Sequence, residues 1–353
     1  MKLRLASTWI AAVALMCAAC GGEKTESPGA ASTGSDKVVV VYTALDRQFS
    51  EPILAEFAKA SGIVVKPVYD TEAVKTVGLV NRLLAERERP QADVFWNNEI
   101  VRSIQLKREG LTEAYVSPSA ADIPTAMKDA EGHWTGFAAR ARVFMVNTNL
   151  IPDAANYPKS LADLTDEKWK GKAAFAKPLF GTTSTHAAVM WATIGAEKSA
   201  DWWRAAIANS IMEAGNAQAA NAVANGEAAW CWTDTDDAFG AITDGKPVAI
   251  VYPDALPPGD GAPGGVLLLP NTLVLIKNGP NPEAARALID FLLRPEVEGK
   301  LAQSRSAQIP VRAAVPGPPS LPPIGDRAIL DVDWDKVADA LAESGKALAG
   351  MVK

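Results

Sequence analysis

The chain has 353 residues, 48% of them hydrophobic and 22% charged, the balance of a globular protein long enough for two domains. Its 35 Lys and Arg against 41 Asp and Glu give a net charge of −6. An acidic chain without a basic block argues against nucleic acid as a partner, because phosphates demand clustered cations.

The first 20 residues read MKLRLASTWIAAVALMCAAC. Lys2 and Arg4 open the stretch, an apolar run from Leu5 to Met16 follows and small residues close it. That is a secretory signal over 1–19, too short to span a bilayer. The closing Cys17-Ala18-Ala19-Cys20 resembles a bacterial lipobox, which would make Cys20 the lipidated mature N-terminus and the lipid the only attachment to a membrane. Plain cleavage near Ala19 is the alternative. Cys231 is then the one thiol left, so no intramolecular disulfide forms, and Cys231 is expected as a small apolar filler of a strand. Residues 20–37, rich in Gly, Ser and Thr, bury nothing and read as a flexible tether.

VVVVYTAL (38–45) is a continuous apolar run, as in a strand covered on both faces. Phe49, Ile53, Leu54, Phe57 and Ala58 then form one helical stripe that Gly62 ends. IVVKPVYD is a second strand, 72–89 a helix burying Val77, Val80, Leu83 and Leu84, and ADVFW (92–96) a third strand. A short helix over 99–109 stops at Gly110. This alternation predicts an α/β fold with a largely parallel sheet. Residues 132–150 are extended with no helix beside them. A second α/β set follows: strand KAAFAKPL, helices over 183–195, 199–208 and 216–225, and strands AAWCWTD and KPVAIVYPD. Residues 264–280 are again extended. One amphipathic helix is predicted through NPEAARALIDFLLRPEVEGKLAQS, with Asn281 as its cap and Pro282 in its first position. The Pro-rich 315–325 is a crossing or a loop, and a helix over 334–349 closes the chain.

Two α/β sets joined by extended segments place a cleft between them, and ligands of such sheets lie beyond the strand C-termini. The loops after strands therefore carry the candidates. Thr43 and Asp46 follow the first strand, where Asp46 also reads as a helix cap. Trp96, Asn97 and Asn98 follow the third. Gly181, Thr182, Thr183 and Ser184 open a helix whose amides and hydroxyls suit a carboxylate or phosphate, although plain capping needs one of them as well. Arg140 and Arg142 alternate in a strand and so face one side, as a binding wall or a solvated edge. Trp232 precedes Asp234, Thr235, Asp236 and Asp237. One or two of those acids read as a cap and first-turn acids, and the rest as an acidic wall for an ammonium or a hard cation. His186 alone reads as a packed or capping side chain. No G-x-S-x-G or H-E-x-x-H occurs, so catalysis is not the expectation; a secreted hydrolase using the Asp cluster is a remote alternative.

Taken in order, VVVYTALD, LLAERERPQADVFWNNEI, GFAARARVFMVNTNLI, SLADLTDEKWKGKAAFAKPLFGTTSTHAA, AVANGEAAWCWTDTDDA, NPEAARALIDFLLRPEVEGKLA and QIPVR resemble the bacterial extracellular solute-binding proteins, in the branch of periplasmic ferric-ion-binding proteins of ABC importers. The resemblance covers about 38–313. It implies a type II periplasmic-binding fold, two lobes joined by crossing strands around a ligand cleft. One lobe would hold 38–138 and about 255–300, the other 139–254 and about 301–353. It implies a non-enzymatic binding protein serving a permease and its ATPase, expected as a monomer that the lipobox reading of Cys20 would anchor on the periplasmic face of a bacterial membrane. The solute would be of the iron(III) class, a small polar or zwitterionic organic solute being the alternative. The family's usual His, Glu and Tyr pair fall at Asp46, Asn98, and Thr235 with Asp236. A bound Fe3+ or other hard cation, with an accompanying anion, would then use Asp46, Asp234 and Asp236. An organic solute would set its anion on 181–184 and Arg142 and its cation on the aspartates.

Overall fold

The computed structural model describes residues 37–70, 76–259, 263–319 and 321–352. The predicted leader, Cys20 and the tether up to Asp36 lie outside them.

The first α/β set forms as the periodicity predicts. Strands β1 (Val38–Thr43), β2 (Val64–Tyr69) and β3 (Val94–Asn97) alternate with helices α1 (Arg47–Ser61), α2 (Val77–Ala85) and α3 (Val101–Arg108). β1 pairs in parallel with β2 and β3, so the C-terminal ends of all three point one way. α1 buries Ile53, Leu54 and Phe57, and Gly62 ends it at φ 71°, where a side chain would be strained. Of the helix predicted over 72–89, residues 72–75 lie outside the described ones, and α2 ends at Ala85. Thr76 stands at φ 70°, outside helical geometry, so the helix begins at Val77, and it gives way to turn before Pro90.

After the short β4 (Thr112–Glu113), the 13-residue β5 (Thr135–Asn147) is buried along its whole length and joins the two sets. Its first part, Thr135–Ala141, pairs antiparallel with β10 (Leu268–Ile276). Its second part, Arg142–Asn147, pairs antiparallel with β8 (Trp230–Asp234) and β9 (Val248–Val251). β6 (Ala173–Ala176) lies parallel between β8 and β7 (Ile211–Glu213), giving the order β2-β1-β3-β10-β5-β8-β6-β7. The three-residue β7 has no counterpart in the sequence reading, being too short to show a period.

Helices α4 (Gly181–Ile194), α5 (Ala196–Asn209), α6 (Asn216–Ala224) and α7 (Thr235–Thr243) complete the second set. The single helix predicted from Asn281 is in fact two, α8 (Pro282–Leu292) and α9 (Pro295–Gln303). Pro295 lacks an amide hydrogen and forces Arg294 to an extended conformation, so the chain restarts there. Asn281 does not cap α8 through its side chain; its Nδ2 donates to Asp93 Oδ2 at 3.0 Å instead. The Pro-rich 315–325 contains no helix or strand among its described residues. α10 (Trp334–Met351), capped by the Asp333 side chain, packs on α3, α4 and α5.

Candidate ligand site

β6, β7 and β8 run parallel, and the chain leaving each enters a helix: α4 after β6, α6 after β7, α7 after β8. The side chains that open these helices gather around Asp234, at the end of β8 and 1% exposed. Arg142 Nη1 donates to Asp234 Oδ1 at 2.7 Å. Thr182 Oγ1 and Asn216 Nδ2 donate to Oδ2 at 2.6 and 3.0 Å, and Arg140 Nη1 lies 3.5 Å from it. The cap reading of Asp234 is thus corrected: it stands in the N-cap position of α7 but makes no side-chain cap bond. The two guanidiniums and the Thr182 hydroxyl claim its oxygens instead. Asp236 and Asp237 are the first-turn acids of α7, as read from the sequence.

Electrostatics hold Asp234 and Arg140 ionised. Burial would raise the Asp234 carboxyl, but Arg142, Arg140 and the Thr182 hydroxyl outweigh it and keep the group below the usual carboxylate range. Burial likewise works against the Arg140 cation, yet Asp236, Asp234, Asp237 and Asp46 raise its pKa. Arg142 stacks on Trp232, its guanidinium carbon 4.6 Å from the ring centroid. His186 also packs edge-on against Trp232, ring centroids 4.5 Å apart, and bonds the Ala255 carbonyl through Nε2. Burial and the nearby Arg142 push its pKa down to about 3, so it is a packed neutral side chain, as expected. Cys231 is buried in β8, and burial pushes its thiol up.

Other candidates fall into three positions. Arg142 Nη1 and Nη2 donate to Thr182 and Thr183 Oγ1, each at 3.3 Å, while Gly181 and Ser184 flank them on the first turn of α4. Asp46, Asp236 and Asp237 line a cavity of about 270 Å³ with Gln48, Asn221 and Arg305. Asp236 Oδ2 is 3.7 Å from Arg140 Nη1, so that cavity comes close to Arg140. One oxygen from each of Asp234, Asp236 and Asp237 lies within 4.8 Å of the others. Asp46 stands at the N-cap of α1 without a side-chain cap bond.

The remaining candidates bond or pack within the protein, although Trp96 Nε1 and Asn97 Oδ1 have no partner among the described residues. Thr43 Oγ1 accepts from the Leu45 amide at 3.2 Å. Trp96 is fully buried against Phe137. Asn97 Nδ2 donates to Ser103 at 3.2 Å; Asn98 accepts from Thr76 at 2.7 Å through its side chain and from Arg140 through its carbonyl. Thr235 Oγ1 accepts from the Ala141 amide at 3.2 Å.

Two participants escaped the sequence reading. Asn216 bridges Thr182, Thr183 and Asp234, and it went unnoticed because β7, the strand before it, is so short. Glu99, 1% exposed, accepts from Thr185 of α4 at 3.1 Å and from the first amides of α3, linking the first set to the second. Its cap-like spacing before Val101 was the available signal.

A model of the bacterial extracellular solute-binding proteins matches residues 53–322, and the chain belongs to that family. Its fold is the two-lobe periplasmic-binding fold. The iron-bound HitA of Pseudomonas aeruginosa superposes with a TM-score of 0.79 over 90% of this chain and 100% of that one, at 24% identity, a likeness of fold. Iron uptake protein A1 of Synechocystis is 26% identical over 92% of this chain and 90% of its own length. A putative 2-aminoethylphosphonate-binding periplasmic protein of Salmonella typhimurium is also 26% identical, over 81% and 82%.

Proposed function

We propose that the protein captures, without turning it over, a small solute bearing an oxyanion head and a cationic group. It delivers that solute to the permease and ATPase of an ABC importer, as a monomer held at the periplasmic face by lipid on Cys20. One observation carries the ligand reading: two buried arginines share Asp234, Arg142 reaching the first turn of α4 and Arg140 lying 3.7 Å from Asp236, which with Asp46 and Asp237 lines a cavity. Oxyanions favour guanidinium and helix N-termini, and ammonium groups favour carboxylates. The relative named for 2-aminoethylphosphonate, a zwitterion, agrees with this chemistry.

A ferric reading has its own support in the close approach of three carboxylates and in the relatives named for iron. Hard cations take oxygen ligands. Three tyrosines serve elsewhere, Tyr42 bonding Glu86, Tyr115 bonding Asp290 and Tyr252 the Pro322 carbonyl; Tyr69 ends β2 opposite Thr43 with its hydroxyl unpartnered among the described residues, Tyr157 lies beside Trp169, and neither lines the cavity at Asp236. Carboxylates alone would then hold the ion. We take 38–138 with about 255–300 as one lobe and 139–254 with about 301–353 as the other, closing on the solute about β5 and β10. Calorimetric titration with 2-aminoethylphosphonate and with ferric citrate separates the readings. Heat of binding from the phosphonate, with a fall in radius of gyration, is the expected result; binding of ferric citrate alone would overturn it.

A further inference from the structure

Three stretches of chain meet where the two strand systems join: Ala138–Ala139 of β5, Asn271 of β10 and Gln308–Val311 beyond α9. Ala139 and Ile309 exchange backbone hydrogen bonds at 2.7 and 2.6 Å. Asn271 Nδ2 donates to Gln308 Oε1 at 2.9 Å and to the Ala138 carbonyl. Pro270 faces Ala139 while Asn271 faces Phe137, so Ala138 is the extra residue of a bulge. It stands at φ 42°, a conformation that residues with a Cβ keep only when their surroundings impose it.

Glu298 of α9 supplies that constraint. Its side chain is fully buried. Oε1 accepts from the Ala138 amide at 2.8 Å and from the Val311 amide at 2.7 Å. Oε2 accepts from Arg312 Nη1 at 3.0 Å. Arg312 is held in turn by Asp122 at 2.7 Å and by the carbonyls of Ser119 and Leu293 at 2.7 and 2.6 Å. One carboxylate therefore grips both crossing segments, β5 and the return chain at Val311.

We infer that Glu298, oriented by Arg312, is a hinge-positioning residue: it fixes the Ala138 bulge and thereby aims Arg140 and Arg142 at the cleft. A bulge shifts the in-and-out alternation of the residues after it, and Arg140 is two positions on. A side chain that touches no ligand so governs affinity. The effect on affinity rests on the reading that these arginines receive the ligand; the effect on the hinge does not.

Glu298→Gln tests it, because glutamine keeps the size and loses the charge. Hydrogen exchange of the ligand-free protein is expected to quicken about tenfold in peptides covering 135–143 and 305–315 and to stay unchanged elsewhere. Affinity for 2-aminoethylphosphonate is expected to fall about tenfold. Unchanged exchange in both peptides, or uniform acceleration along the chain, would overturn the inference. Should wild type bind no phosphonate, the exchange result still decides the hinge role while the ligand reading falls alone. If Glu298→Gln does not fold, Ala138→Gly is compared with Ala138→Gly/Glu298→Gln, since glycine removes the Cβ cost at φ 42°.

Discussion

The hinge and the cleft each bury carboxylate against guanidinium, and they are built in opposite ways. At the hinge, Arg312 spends Nε, Nη1 and Nη2 on protein acceptors, and Glu298 meets two amides and one guanidinium. In the cleft, the Nε atoms of Arg140 and Arg142 have no partner among the described residues, and a cavity of about 270 Å³ adjoins the cluster at Asp236. Buried polar groups are nearly always satisfied. The Glu298–Arg312 pair is closed and holds a shape, although Asn271 Oδ1 beside it has no partner among the described residues, whereas the two cleft arginines keep spare donors and Arg140 lies near the cavity.

The largest expected effect is on the closed network. Arg312→Ala leaves Glu298 buried without its cation and should cost about 3–5 kcal/mol in urea denaturation. A loss under about 1 kcal/mol, the range of an exposed pair, would break the contrast. Arg142→Ala should act differently, because Arg140, Thr182 and Asn216 still serve Asp234. Its affinity for 2-aminoethylphosphonate should fall about a hundredfold, or ~2.7 kcal/mol, with a smaller loss of stability than at the hinge. Equal affinities in calorimetry would remove Arg142 from the site.

Acid sharpens the comparison further, because His186 lies against the cleft cluster and titrates only when that region unfolds. Its folded pKa, about 3, is far below the roughly 6.5 of an unfolded histidine. Between these values the unfolded chain binds the extra proton, so stability falls as pH drops through 6.5 toward 3. From pH 7 to pH 5 this one group should cost about 2 kcal/mol. His186→Gln, which can still donate to the Ala255 carbonyl, should lack that part of the slope. An unchanged slope in thermal melts would mean that another group is responsible.

Much of this was legible in the sequence. Apolar runs and helical stripes placed nearly every strand and helix, because each element's period is local. The acidic run at 234–237, the paired arginines and the hydroxyl run at 182–184 were visible as residue types at strand ends. What they bond to was not. Asp234 looks like a cap from its neighbours, and only the folded chain brings Thr182, 52 positions away, onto its carboxylate. Glu298 reads as one more polar residue inside a long amphipathic helix, yet it grips an amide 160 positions distant. The break at Pro295 is masked in the sequence by an apolar stripe that continues from α8 into α9.

In the proposed mode of binding the cleft divides a ligand's two charges, arginines taking the anion and aspartates the cation. Paired calorimetric titrations of 2-aminoethylphosphonate and ethylphosphonate, which differ in the amine, test this directly in wild type and in Asp236→Asn. The wild type should prefer the amine-bearing compound by about tenfold, ~1.4 kcal/mol, and Asp236→Asn should abolish that preference while retaining the phosphonate contact. An identical preference in both proteins, or no preference in the wild type, would contradict the account.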